Sequence, residues 1–172
     1  AADPVAPGKL YAVTDSFYGA NPQILTIETA VEPALITDAV TVTRDGEPVP
    51  YLDLEGVVAM DDGTFWLASE GRASADRPHA ILHVDGSGAV VEEVRIPDAL
   101  AEVAIRYGFE GITATGAGED PTLWMATQRE WEDDPAGQVK LVAYTPATGE
   151  WGAVRYPLDD VEQGWIGLSE IT

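Results

Sequence analysis

Short apolar segments alternate with polar turns along the whole chain, a pattern typical of β-strands joined by hairpins. The segment at 90–96 (VVEEVRI) alternates imperfectly between apolar and polar positions, as expected of an outer strand with one face in water. The pattern predicts two series of four strands, at 54–60, 64–70, 79–84 and 89–96, then at 109–115, 122–128, 138–145 and 150–156. Gly- and Asx-containing turns, which supply the positive φ angles of short hairpins, separate them at 61–63, 85–88 and 146–149.

The strands recur with a nearly constant period. One apolar motif that ends in a hydroxyl residue and then an acid or amide occurs three times, at 10–16, 65–71 and 123–129. A second motif also occurs three times, at 53–58 (DLEGVV), 108–113 (GFEGIT) and 167–172 (GLSEIT). Repeated units of four antiparallel strands are typical of β-propeller blades, whereas a β-sandwich requires no such period. We therefore predict an all-β fold, a β-propeller of four-stranded antiparallel blades.

Counting strands predicts that this chain supplies about three blades of a larger propeller. The units are roughly 8–52, 53–107 and 108–164, and 165–172 is expected to begin the first strand of a further blade. Closed propellers typically have 4–8 blades. We therefore expect the remaining blades to lie in cis on a longer chain, or to come from a second copy of this one.

One segment, 97–107, is predicted to be helical between the second and third units. It follows Pro97, has Asp98 as a candidate N-cap and is closed by Gly108. Its short length predicts a surface turn of helix.

The charge is strongly acidic, with 30 acidic against 9 basic side chains and a formal net charge of −21. Such a field repels nucleic-acid phosphates and anionic membrane surfaces, so we expect neither as a partner, and it attracts cations. The same excess of carboxylates also serves solubility. The absence of cysteine excludes disulfides, thiolate nucleophiles and Cys-based zinc sites. The small, Pro-rich segment 1–7 resembles the remainder of a cleaved signal peptide and predicts a secreted or periplasmic protein.

The motifs at 53–56 (DLEG), 62–71 (DGTFWLASEG) and 108–112 (GFEGI), followed by Gln128 and 167–171 (GLSEI), resemble the phytase-like family, "esterase-like activity of phytase". The resemblance covers nearly the whole chain and depends on the three motifs occurring in this order. It implies an exported propeller longer than this chain and a hydrolase activity. It assigns no catalytic residue.

Equivalent positions of a propeller converge, so its repeated acids predict a metal site. Glu55 and Glu110 are expected on innermost strands, and Asp15, Glu70 and Gln128 at the ends of second strands. Because clustered carboxylates repel one another, a cation such as Ca²⁺, which takes 6–8 oxygen ligands, is the natural partner. We expect Glu55, Glu70 and Glu110 to approach one another around the channel mouth. In the alternative, these acids only accept backbone N–H bonds that fix the blades.

Three arginines, Arg72, Arg77 and Arg129, follow the strand ends that bear Glu70 and Gln128. They are candidates for binding an anionic substrate beside the metal, and surface salt bridges are the alternative.

Other chemistry is less supported by the sequence. His79 and His83 would lie about 13 Å apart on one strand and cannot share a metal, so packing or solvent exposure is expected for each. No Gly-x-Ser-x-Gly motif occurs, which disfavours a serine esterase. Trp66 and Trp124 recur in phase and predict blade core, whereas Trp131 either borders a binding site or packs.

The sequence thus predicts a secreted, calcium-dependent propeller hydrolase that acts on a small-molecule phosphoester. Two alternatives stay open. One is a noncatalytic propeller that binds protein or glycan, and the other is a lactonase-like metal propeller.

Overall fold

The computed structural model describes residues 1–16, 21–71, 77–116 and 120–172, and these residues form an all-β fold with a single helical turn. The chain divides into two compact units, Ala1–Ser69 with Ala80–Val94, and Glu70–His79 with Arg95–Thr172. The predicted all-β class is confirmed, and the closed ring and its number of blades stay predictions.

The first unit contains three antiparallel sheets. The first sheet contains β1 (Lys9–Val13), β2 (Gln23–Glu28) and β3 (Leu35–Thr41), and a two-stranded ribbon contains β4 (Thr43–Arg44) and β5 (Glu47–Pro48). The third sheet contains β6 (Leu54–Ala59), β7 (Phe65–Ser69), β8 (Ala80–Val84) and β9 (Val90–Arg95). Arg95, the last residue of β9, belongs to the second unit. In every sheet, strands that are neighbours in sequence are neighbours in space. Apolar side chains of these strands and of the residues beside them form one core: Ile24, Val42, Val49, Leu54, Val57, Phe65, Leu67, Leu82 and Val84.

Close backbone contacts between β-sheets also stabilise the first unit, in addition to its apolar core. The amide of Thr43 donates to the carbonyl of Gly88 at 2.9 Å. Gly88 has φ +85°, and a Cβ there would lie 2.4 Å from the Thr41 carbonyl oxygen. The predicted turn at 85–88 is therefore present, and its glycine serves both the left-handed conformation and this close approach.

The second unit is built on one four-stranded antiparallel sheet in sequential order, β10 (Phe109–Thr115), β11 (Thr122–Thr127), β12 (Gln138–Thr145) and β13 (Glu150–Pro157). The middle strands are largely buried, whereas β13 is an exposed edge strand. The eight strands of this sheet and of β6–β9 agree with the predicted ranges to within one residue at each end.

The two four-stranded sheets carry the same irregularity. In β6, Leu54 pairs with Ser69 and Gly56 with Ala68, so Glu55 is an extra, bulged residue. In β10, Phe109 pairs with Thr127 and Gly111 with Ala126, so Glu110 is bulged in the same way. A β-bulge re-aims the side chain of the extra residue. The repeated Glu-Gly motif thus marks a bulge near the start of each first strand.

The bounds of the predicted helix are wrong. The helix α1 spans only Asp98–Ala101, and its N-cap is Pro97, not Asp98. The amides of Leu100 and Ala101 both donate to the carbonyl of Pro97, which makes that residue the start of the turn. Residues 165–172 form no strand in this chain; a backbone hydrogen bond joins Leu168 N to Gln128 O at 3.2 Å, and their place in the first strand of a further blade stays a prediction. Within the described ranges, no helix is long and apolar enough to cross a membrane.

Candidate metal centre

Three carboxylates meet at the end of the β6–β7 hairpin. Asp53 directly precedes β6, Glu70 directly follows β7, and Glu55 occupies the bulge between them. Glu70 is the first residue of the second compact unit, but it is bonded directly to Ser69, the last residue of β7, and this bond fixes its position here. One carboxylate oxygen from each residue lies within 4.8 Å of the others. Asp53 is only 8% exposed, and Glu55 and Glu70 are half-buried.

This acidic triad (Asp53, Glu55 and Glu70) has the donor chemistry of a hard-cation site. Three negative groups this close, partly removed from water, repel one another unless a cation or protons offset the charge. Carboxylate oxygens are the ligands that Ca²⁺ and Mg²⁺ prefer. The triad could therefore hold a metal ion.

Backbone amides also contact two of the three carboxylates. Oδ1 of Asp53 accepts a hydrogen bond from the amide of Ser16 at 3.0 Å. Oε1 of Glu70 accepts one from the amide of Gly108 at 2.8 Å. These bonds orient the side chains, as the structural alternative expected. A carboxylate has about four acceptor sites, so each of these two bonds occupies one site and does not by itself exclude a metal.

The corresponding positions of the β10–β11 hairpin carry one acid instead of three. Gly108 stands at the position of Asp53, Glu110 at that of Glu55 and Gln128 at that of Glu70. The bulged glutamate is thus common to both hairpins, whereas the two flanking acids occur only at β6–β7. Forming the bulge does not require them.

The structure brings together only some of the predicted ligands. Glu55 and Glu70 lie in the triad, and Asp53 is a member that the sequence reasoning missed. Among the described residues, no second group of three acids or histidines gathers Asp15 or Glu110. The backbone amide of Gln128 donates a hydrogen bond to the carbonyl of Gly108 at 2.8 Å, and its side chain is not a member of the triad. The approach of Glu110 to the triad therefore stays a prediction.

The predicted anion-binding arginines are only partly described. Arg72 lies outside the described residues, and Arg77 is half-buried just before His79. Arg129 donates from Nε to Oε2 of Glu130 at 3.3 Å, and its guanidinium lies 4.7 Å from the centre of the Trp165 ring. Arg129 thus makes the salt bridge that was the alternative for it.

His79 is a buried packing residue. Its Nδ1 accepts a hydrogen bond from the amide of Gly71 at 2.8 Å, and its Nε2 lies 2.9 Å from the Ile105 carbonyl, to which it must donate. This pattern requires the neutral ring with the proton on Nε2. Burial lowers the pKa of His79, and the Ile105 carbonyl offsets part of that effect.

His83, Trp66 and Trp131 also pack against neighbouring groups. His83 stacks on Trp66 with ring centres 4.6 Å apart, and its Nε2 lies 3.0 Å from the Thr64 hydroxyl. Trp66 is 4% exposed, as predicted for a core residue, whereas Trp124 is half-buried. Trp131 is 2% exposed and donates from Nε1 to the Tyr107 carbonyl at 3.1 Å, so of its two alternatives packing is confirmed.

The family model described as "Phytase-like: Esterase-like activity of phytase" matches residues 1–172, the whole chain. The comparison with curated proteins found no match.

Proposed function

The chain belongs to the phytase-like family, described by an esterase-like activity of phytase, and on that premise we propose that it is a calcium-dependent hydrolase of phosphoesters. The single observation that carries the metal dependence is the acidic triad at the end of the β6–β7 hairpin. Its flanking acids are absent from the corresponding hairpin β10–β11, which forms the same bulge without them. A role beyond folding explains this difference.

Ca²⁺ fits the triad better than a transition metal. It takes 6–8 oxygen ligands in flexible geometry, and the three carboxylates supply part of that set as mono- or bidentate ligands. A bound Ca²⁺ would supply Lewis acidity, which polarises a phosphoryl oxygen and lowers the pKa of a bound water. The chain's own part is positional: the bulge presents Glu55, and the Ser16 and Gly108 amides orient Asp53 and Glu70.

The remaining side chains favour water over serine as the nucleophile. Both histidines are engaged, His79 with two backbone groups and His83 with Trp66 and Thr64. A serine nucleophile requires a histidine or equivalent base within hydrogen-bond reach. Neither histidine makes such a bond to a serine in the described part of the chain, and the sequence has no cysteine.

The rival function is a noncatalytic binding protein for protein or glycan. The observation that favours it is the use of Asp53 and Glu70 as acceptors for backbone amides, which is sufficient to fix the fold. In that case the triad contributes stability alone. A lactonase-like activity would use the same metal and differs only in its substrate.

A substrate panel with matched variants tests these functions. We expect p-nitrophenyl phosphate to be hydrolysed, activity to disappear in EGTA and to return with Ca²⁺, and p-nitrophenyl acetate and a γ-lactone to be poor substrates. Asp53→Asn and Glu70→Gln should each lower kcat/KM by at least about tenfold, since each removes one charged ligand. Glu92→Gln, an exposed acid on β9 that is not a member of the triad, is the matched control and should retain activity.

Two results would count against the hydrolase. If EGTA does not lower turnover, the hydrolase does not depend on a metal. If the lactone is turned over in preference to the phosphoester, the substrate class is wrong. Export is part of the proposal, because extracellular calcium modules commonly bind Ca²⁺ with a Kd of about 10⁻⁴–10⁻³ M, and such an affinity suits a site with only three carboxylate ligands.

A further inference from the structure

Two arginines and two aromatic rings of the second unit form an alternating stack, the guanidinium–aromatic stack (Arg106, Tyr107, Arg129 and Trp165). The Arg106 guanidinium carbon lies 4.5 Å from the centre of the Tyr107 ring, and that of Arg129 lies 5.9 Å from the same centre. Arg129 also lies 4.7 Å from the centre of the Trp165 ring. The Tyr107 ring is therefore close to both arginines, and Arg129 is also close to the Trp165 ring.

Arg106 is unusual among the cations of this acidic chain. The sequence has 30 acidic and 9 basic side chains, so a carboxylate partner is easy to supply. Five other cations have a carboxylate within 4.0 Å: Lys9, Arg44, Arg129, Lys140 and Arg155. Arg106 is exposed, and its guanidinium lies over the Tyr107 ring and donates to the Tyr107 hydroxyl at 2.6 Å. Among the residues described, no carboxylate lies within 4.0 Å of it. No carboxylate of the described residues offsets its positive charge, which an anionic ligand could therefore contact.

Trp165 supplies an open apolar surface beside this charge. It is 60% exposed, whereas Trp66 and Trp131 are 4% and 2% exposed. An exposed indole that is backed by a guanidinium offers its outer face for stacking against a flat apolar group. Its place next to the arginines is what distinguishes it from an isolated surface tryptophan.

We propose that the guanidinium–aromatic stack is a binding site for an oxyanion attached to a flat apolar ring. Guanidinium groups present several N–H donors in a planar fork that matches phosphate and carboxylate oxygens. The anion contacts Arg106, and the ring lies on Trp165 beside the Arg129 guanidinium, which is itself paired with Glu130. A neutral sugar would use the indole but would have no need of an unpaired arginine. This site requires neither the metal nor hydrolysis, so it goes beyond the proposed function and does not depend on it.

Binding is tested on the full chain in EGTA and at low ionic strength, so that no metal takes part. The probes are phenyl phosphate and benzoate, with inorganic phosphate and benzyl alcohol as the anion and the ring alone, followed by calorimetry and tryptophan fluorescence. We expect saturable binding of both ring-bearing anions, weaker binding of inorganic phosphate and none of benzyl alcohol. Arg106→Gln should weaken phenyl phosphate binding about tenfold, because a charge-assisted hydrogen bond is lost. Trp165→Ala should weaken phenyl phosphate but leave inorganic phosphate unchanged.

Arg44→Gln is the matched control, since Arg44 is also exposed but is paired with Glu93, and it should leave binding unchanged. Circular dichroism of the variants checks that each is folded. The proposal is overturned if phenyl phosphate does not saturate by about 10 mM. It is equally overturned if Arg44→Gln lowers affinity as much as Arg106→Gln, or if benzyl alcohol binds as tightly as phenyl phosphate.

Discussion

Gly108 lies at a point where the structure leaves no room for a side chain. A Cβ at this position would lie 1.9 Å from Cε1 and 2.1 Å from Nδ1 of His79. The ring is held by hydrogen bonds to Gly71 N and Ile105 O and stacks on Trp131 with ring centres 5.4 Å apart. Since non-bonded carbons normally lie about 3.5–4.0 Å apart, Gly108→Ala must displace the ring by more than about 1.5 Å.

The expected cost of Gly108→Ala combines two effects. Overpacking a buried site typically costs about 1–3 kcal/mol. Displacing the ring also breaks two hydrogen bonds, each with a net contribution of about 0.5–1.5 kcal/mol. We therefore expect a loss of about 2–6 kcal/mol in the free energy of unfolding, measured by urea titration with circular dichroism.

A matched substitution and a double-mutant cycle make this prediction specific. Gly152→Ala is the control, because its nearest neighbour would be Ala143 Cβ at 4.0 Å and its φ is not positive. In a His79→Ala background, Gly108→Ala should cost less than about 1 kcal/mol, since the clashing ring is gone. The reasoning is refuted if Gly108→Ala costs no more than Gly152→Ala, or costs the same with and without the His79 ring.

Two further predictions concern charges in the second unit. Burial lowers the pKa of His79 in the folded chain. In the unfolded chain, His79 takes up a proton near its ordinary pKa of about 6.5, whereas the folded chain does not. The contribution of His79 to stability is therefore full above that pH and falls as the pH decreases toward the folded pKa. Urea titrations from pH 7.5 to 5.5 should show this fall in the wild type but not in His79→Gln, and wild-type stability that rises relative to the variant would contradict it. Lys140→Met should cost about 3–5 kcal/mol, because Lys140 Nζ lies 2.5 Å from Asp133 and 2.6 Å from the fully buried Asp134. Arg155→Met removes the 46% exposed partner of the same acids and should cost less than about 1 kcal/mol, and equal losses for the two variants would contradict this assignment.

The strands could be predicted from the sequence because local signals agree there. Turn residues such as Asp62 and Asp85 precede glycines with positive φ, and their carboxylates accept hydrogen bonds from the backbone two residues on. These local bonds end one strand and start the next, so pattern and turn chemistry suffice. The helix start was wrong because Asp98 has the chemistry of an N-cap, but the extended Pro97 already occupies that position.

The candidate site was only partly predictable. Glu55 and Glu70 were found because their motifs recur, whereas Asp53 was missed because its counterpart is Gly108. A usable signal was present, since Asp53 and Glu55 are two residues apart beside a strand start. The burial of His79 and Trp131 could not be read from the sequence, because their partners are backbone groups of Gly71, Ile105 and Tyr107, which any residue type carries.

The central claim is that the acidic triad binds Ca²⁺, and calorimetric titration of Ca²⁺ tests it most directly. The ionic strength is held constant with NaCl, because screening alone must not be mistaken for binding. The account predicts saturable binding by the wild type and by Glu92→Gln, whose exposed acid lies outside the triad. It predicts loss of that binding in Asp53→Asn and in Glu70→Gln, and a melting temperature that rises with Ca²⁺ only where binding persists. If the protein is folded and binds no Ca²⁺ at millimolar concentration, or if Asp53→Asn and Glu70→Gln bind it as the wild type does, the triad is not a calcium site.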